Sequence, residues 1–234
     1  MRELSKYLLL CVVGISATVL SAGCSTSKNQ AKQTRPYITL FNGSDIESWN
    51  HVLTDSSISR DKVWKVEQGM IKCSGDPIGV LYAGPDATDF HLVVEYRWAP
   101  GAKPGNSGIF SRIEEPVTAL PRAIELQLKH GDAGHVLGLK GKPVSSPGQP
   151  RYFEVKAHPV AGDISGTRRL GDAEKPPGEW NRVEILACGP KYTVWLNGQL
   201  INIAEGVHVS KGKVGIQSEG GEIHFRKMEF TPLD

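Results

Sequence analysis

Short alternating runs, stopped every few residues by glycine or proline, constrain this chain more than any other feature. In "AIELQLK", Ile124, Leu126 and Leu128 alternate with Glu125, Gln127 and Lys129. A strand has a side-chain period of two, so the apolar trio faces one way and the polar trio the other. "FHLVVEYRWA" repeats the pattern, with Leu92, Val94, Tyr96 and Trp98 set against Glu95 and Arg97. "NRVEILACG", "KYTVWLNGQLI", "GKVGIQSE" and "EIHFRKMEF" read as further strands, and Asn197-Gly198 is a type I′ turn signal. Helix signals are almost absent, while 26 glycines and 15 prolines punctuate the runs. The pattern predicts an all-β sandwich or barrel. "VWKVEQGMIKCS" reads as a single strand. Gly131 to Gln149 reads as one long loop, of a length that in compact domains often serves function.

The amino terminus reads differently. Arg2 and Lys6 precede the apolar run "YLLLCVVGISATVL", the charged start and apolar core of a secretory signal. The run is short and broken by Gly and Ser, which argues against a membrane-spanning anchor. "LSAGCS" follows and resembles a bacterial lipoprotein processing box. Residues 1–23 are therefore expected to be a signal peptide, with Cys24 as the lipid-bearing first residue of the mature chain. Residues 24–35 are polar and aperiodic, a flexible tether, and residues 36–234 form one folded domain. This places the protein in the bacterial envelope, membrane-anchored through Cys24. The net charge of +2 gives no electrostatic case for nucleic acid. Of four cysteines, Cys73 and Cys188 fall in the domain. Export permits a bridge, but separate predicted strands favour two packed thiols. No CxxC pair and no zinc spacing occurs.

If the strands bearing the polar positions are neighbours, one sheet face collects Glu95, Arg97, Phe110, Arg112, Glu125, Gln127 and Lys129. Such a face suits sugar hydroxyls. The same spacing also describes a solvated outer face stitched by cross-strand ion pairs. His130 ends the polar strand and His135 sits in the long loop, which makes either a candidate base. Asn106 stands at a strand entry where it could bind ligand. His130, Asp132 and His135 could ligate a divalent metal, but HxDxxH in a glycine-rich loop is a weak signal, and no cofactor is expected. No nicotinamide fingerprint is present, nor a nucleophile elbow. No run on one strand has the closely spaced carboxylates of a retaining glycosidase.

Six segments in order add a resemblance: "LFNGSDIESW", "VEYRWAPGAKPGNSGIFSR", "IELQLKHGDAGH", "PPGEWNRVEI", "VWLNGQLI" and "VGIQSEGGEIHFRKMEFTPL". From Leu40 to Leu233 the chain resembles the 3-keto-disaccharide hydrolase domain family. The resemblance implies a concanavalin-like jelly roll of two antiparallel sheets, one concave and carrying Glu125, Gln127 and Lys129. Where many members carry "QDHG", this chain has Gln217-Ser218-Glu219-Gly220, so a role for that histidine must fall to His224, His130 or His135, if to any residue. Glu219 joins the substrate-binding candidates there.

The implied ligand is an oligosaccharide or glycoside oxidised at C3. A ketone at C3 acidifies the C2 proton, and loss of that proton expels the C1 oxygen by β-elimination. On this reading His130 or Glu125 is the base, and Arg97, Arg112 or Lys129 stabilises the enolate. Glu95 orients an arginine, while Asn106, Phe110, Gln127 and His135 contact the sugar. Two rivals remain at this level: a lectin-like module that binds carbohydrate without cleaving it, and a purely structural lipoprotein.

Overall fold

The computed structural model describes residues 36–234. The processing box, Cys24 and the tether lie outside the described residues. In chain order the elements are β1 (Ile38–Phe41), β2 (Asn50–Leu53), the one-turn α1 (Arg60–Val63), β3 (Trp64–Glu67), β4 (Met70–Cys73), β5 (Gly79–Ala87), β6 (Phe90–Trp98), β7 (Gly108–Ile113) and β8 (Ile124–Gln127). There follow β9 (Val136–Gly138), β10 (Tyr152–His158), β11 (Gly162–Thr167), β12 (Asn181–Cys188), β13 (Lys191–Leu196), β14 (Gln199–Ala204), β15 (Gly212–Ser218) and β16 (Ile223–Pro232).

These strands make two antiparallel sheets. One runs β14-β13-β12-β6-β16-β4-β3, with β1 also on β16; the other runs β10-β11-β9-β8-β7-β15-β5-β2. Their inner faces supply one core that includes Trp64, Tyr96, Trp98, Ile109, Ile185, Val194, Ile216 and Phe230. Each such large apolar side chain contributes roughly 1.5–3 kcal/mol by leaving water. The fold is a concanavalin-like jelly-roll sandwich.

The alternation sets the register as expected. Ile124, Leu126 and Leu128 are buried in the inter-sheet core, so Glu125 and Gln127 project from the opposite face of β8. On β6 the set Leu92, Val94, Tyr96 and Trp98 is likewise in the core.

Other expectations are corrected. "VWKVEQGMIKCS" is not one strand. Gln68 and Gly69, with φ of 53° and 73°, turn it into the β3–β4 hairpin, because two consecutive left-handed residues reverse the chain. The long loop contains β9, which pairs with β8 and β11. Cys73 is a buried free thiol, its pKa pushed up to about 11 by burial, so no Cys73–Cys188 bridge forms. Cys188 does not stand as a second free thiol.

Candidate functional site

The outward face of the second sheet is built around Gly108. On β7 this glycine pairs with Gln127 of β8. The β15 register, Gly215 with Phe110 and Ile216 with Ile109, puts Gln217 on its other side. A Cβ at position 108 would lie 2.6 Å from Oε1 of Glu125. The Glu125 carboxyl therefore rests in the notch that the missing side chain leaves. Asn106 enters the same face two residues earlier, where its backbone N–H donates to the Gly220 carbonyl at 2.8 Å. That contact sets Asn106 beside Glu219. On the far side of β8, the His135 carbonyl accepts from the Gln127 N–H at 2.9 Å. Phe153 of β10 lies over Gly166, where an added Cβ would sit 2.8 Å from the ring. It meets the His135 ring edge-on at a centroid distance of 5.9 Å, and the Arg168 guanidinium covers it at 4.7 Å.

Two carboxyl groups and an imidazole thus share one patch, and their environments move them in opposite directions. Burial, then the nearby charge of Glu219, raises Glu125 well above the usual carboxylate range. Burial also raises Glu219, against hydrogen bonds from Asn106 and Gln217; the Gln217 Nε2 donates to Glu219 Oε2 at 2.5 Å. Burial lowers His135, which favours the neutral ring. Several atoms here are buried without a hydrogen-bond partner: Asn106 Oδ1, Glu125 Oε1, His135 Nδ1 and Gln217 Oε1. Orphaned polar atoms are uncommon in native interiors, and four in one patch mark a place made for something else.

Five sequence candidates meet on this face: Asn106, Glu125, Gln127, His135 and Glu219. Lys129, also on the polar side of the β8 run, lies close enough to lower Glu219 through its charge, and pairs with Asp132 at 3.5 Å.

The others are placed elsewhere. Glu95 and Arg97 are on β6, in the other sheet, so the strands presumed to be neighbours are not. Glu95 binds Arg226 at 2.6 Å. Arg97 donates to His224 at 3.4 Å and stacks on Trp180 at 4.6 Å. Phe110 is on the right face but fully buried, in a second apolar cluster with Val80, Leu120 and Leu137.

Arg112 turns inward. The β7–β15 register slips between Phe110 and Ile113, and Arg112 takes φ 49°. The bulge sends both Ser111 and Arg112 towards Tyr192. His130 also leaves the face. Its Nδ1 is 3.1 Å from Glu174 Oε2, and its ring abuts Trp98 at 6.5 Å. His130 and His135 are thus drawn to different partners. Among the described residues no group of three or more His, Cys, Asp or Glu side chains could hold a metal ion, so the HxDxxH set does not converge.

Sequence reasoning missed Phe153, Gln217 and Arg168. Phe153 stays on the open face because its cross-strand partner on β11 is Gly166, which leaves room for the ring.

The fold and this face together define a jelly-roll protein with a polar and aromatic patch on one sheet. Residues 36–231 match the model of the 3-keto-alpha-glucoside-1,2-lyase-like domain, and the chain belongs to that family. Among solved structures it is similar to a proposed glycosyl hydrolase from Parabacteroides distasonis (21% identity, TM-score 0.58, 85% of this chain and 94% of that one). It is also similar to carbohydrate-binding module CBM66 from Bacillus subtilis (13% identity, TM-score 0.56, 84% and 99%). A third likeness is to the exoplasmic/lumenal domain of VIP36 bound to Ca2+ and Man3GlcNAc (9% identity, TM-score 0.54, 84% and 88%). At these identities the likeness is one of fold. No curated protein sequence matches the chain.

Proposed function

We propose that the protein cleaves glycosides already oxidised at C3, by removing the C2 proton and eliminating the C1 substituent. The observation that carries this reading is His135. Burial favours its neutral form, Nδ1 is unpartnered, and it lies on the same face as an aromatic ring and two carboxyls. A neutral base and a raised-pKa acid on one face are the two groups that proton abstraction next to a carbonyl requires. The base is therefore His135 rather than His130 or Glu125.

His135 takes the C2 proton, and the C2–H electron pair forms an enolate with the C3 oxygen. As the C3 carbonyl re-forms, the double bond moves to C1–C2 and the C1–O bond breaks. The leaving oxygen receives a proton from Glu219, whose burial keeps it protonated to higher pH than an ordinary glutamate. The amide groups of Gln127 and Asn106 and the cation of Lys129 supply hydrogen bonds and charge at the enolate oxygen, and Phe153, with the Arg168 guanidinium over it, borders the sugar. Water added across C1–C2 afterwards would give net hydrolysis. Family membership supports this chemistry.

Purified domain incubated with a 3-keto-disaccharide should release the aglycone sugar and an unsaturated keto product, and should leave the unoxidised disaccharide intact. Retention of the sugar without cleavage of either form would establish the lectin-like alternative. Equal cleavage of both forms would rule out elimination.

The reading extends to location: the chain is exported and held on the bacterial envelope by lipid on Cys24, which follows the charged start, apolar run and "SAGC". Cys24→Ser should move the protein out of the membrane fraction or stop its maturation. Mass spectrometry showing an unmodified amino terminus on soluble wild-type protein would refute the anchor.

A further inference from the structure

The loop from Gly131 to Gly134 runs directly into His135, and most of its polar backbone groups are taken. The Asp132 N–H donates to the Lys129 carbonyl at 2.8 Å, and the Gly134 N–H to the Gln127 carbonyl at 2.9 Å. The Gly134 carbonyl accepts from Asn202 Nδ2 at 2.8 Å. The remaining contacts come from one segment, residues 168–180, which crosses from β11 in one sheet to β12 in the other. Arg169 Nη2 donates to the Gly131 carbonyl at 2.6 Å, and its Nη1 reaches the Ala133 carbonyl at 3.4 Å. Glu174 Oε2 accepts from the Gly131 N–H at 3.0 Å. Gly134 has φ of 109°, and a Cβ there would lie 2.8 Å from the Ile201 side chain and 3.5 Å from Cβ of Arg169. The loop therefore passes close against the Arg169 stem just before it delivers His135.

The crossing segment is itself fixed. Asp172 Oδ1 accepts from Arg169 Nη1 at 2.9 Å and from the Glu174 N–H at 3.1 Å. The Ala173 carbonyl accepts from Asn197 Nδ2 at 2.7 Å. The Glu174 side chain is 3% exposed. Its Oε1 takes the Tyr96 hydroxyl at 3.2 Å and the Trp98 indole N–H at 3.1 Å, both from β6 of the opposite sheet. Both carboxyl oxygens thus accept, which an amide in the same place could not do. The main charged groups acting on the His135 ring come from its own loop and from this segment. Burial lowers its pKa most; Asp132 opposes that by charge and by a backbone contact, while Arg169 and Arg168 lower it further. Phe153, packed on the ring from β10, brings no charge, and Arg168 is spread over Phe153.

Building on the reading of His135 as the base, we infer that Arg169 and Glu174 are positioning residues for it: from one crossing segment they clamp the loop that carries the imidazole, and they keep one fixed cation near its ring. Each acts through His135. The clamp ties the ring's position to both sheets, and a nearby cation disfavours the imidazolium, leaving the base free to accept a proton.

The test follows the histidine ring resonances of the purified protein by NMR across pH, without substrate, with His135→Ala assigning the signal. Arg169→Met removes the cation, and the His135 pKa should rise relative to wild type. Arg169→Lys keeps the charge and loses the fork, so its titration should stay close to wild type. On a 3-keto-glycoside, the rising limb of the kcat–pH profile should move to higher pH in Arg169→Met. Glu174→Gln should lower kcat roughly 10–100-fold, the scale of a small misplacement, with a smaller change in KM. Residues that served stability alone would shift melting and leave the titration and kcat where they were. If Arg169→Met does not fold by circular dichroism, Glu174→Gln decides, by its kcat and by faster hydrogen exchange at the Gly131 amide. An unchanged His135 titration in folded Arg169→Met would overturn the proposal, as would wild-type kcat in Glu174→Gln. A wild type that cleaves no keto-glycoside would remove the lyase reading alone; the titration and the exchange need no substrate and would still decide on the clamp.

Discussion

His135→Ala is expected to lower kcat on a 3-keto-glycoside by about 10²–10⁴-fold, the usual loss when a positioned base is removed. KM should change far less, because Phe153, Gln127 and Asn106 still hold the sugar. The pH profile provides a second readout. Burial places the His135 pKa below its ordinary 6.5, and the base works only when deprotonated. Rate should therefore climb as pH rises through the lowered His135 value. Glu219 must carry its proton, and its pKa lies above 4.5; rate should decline as pH rises through that value. Glu219→Gln should erase the declining limb. A single-turnover measurement separates proton abstraction from product release. If His135→Ala retained wild-type turnover while His130→Ala lost it, the assignment of the base would be reversed.

Arg112→Ala should be the most destabilising single change in the sheet that carries the site. The guanidinium is fully buried and serves four carbonyl contacts. Nε and Nη2 reach the Thr88 oxygen at 3.0 and 2.8 Å, Nη1 the His208 oxygen at 2.8 Å, and Nη2 also the Gly189 oxygen at 2.8 Å. It stacks on Tyr192 at 5.0 Å and lies 3.6 Å from Asp89. Truncation strands three backbone oxygens and removes the partner of a carboxylate. The expected cost is about 3–5 kcal/mol, or a fall in melting temperature of roughly 10 °C for a domain of this size. Arg112→Lys should recover little of it, because a single ammonium cannot span three segments. Urea unfolding of both variants is the measurement. A loss below about 1 kcal/mol would mean that water replaces the guanidinium.

The two histidines show what the chain discloses before it folds and what it withholds. Alternation gave the side on which Ile124, Leu126 and Glu125 fall, since a period of two is a local property. It could not say which strands lie beside one another. Glu95 and Arg97 fit the same alternation, yet β6 belongs to the other sheet, and their partners Arg226 and His224 are on β16. His130 and His135 looked equivalent in sequence; only Glu174, far along the chain, ties one of them down. Arg112 was misjudged because a bulge inverts the parity of every later position, and no residue type announces that bulge. No single strand carries closely spaced acids, yet Glu125 and Glu219 approach each other across β7, which pairs with β8 on one side and β15 on the other, and spacing cannot reveal that.

That pairing bears on how the protein comes to exist. β15, which carries Gln217 and leads to Glu219, is the penultimate strand in the chain, yet it lies between β7 and β5 in the middle of its sheet. Until it inserts, β7 and β5 each have an open flank, and Glu125 lacks the Glu219 side of its surroundings. Closing such long loops is slow, because their entropy is lost before contacts compensate. A growing chain therefore passes through a stage with most strands made and no site at all. In that stage an unpaired edge of β7 is exposed, and it stays so until β15 arrives to close the sheet.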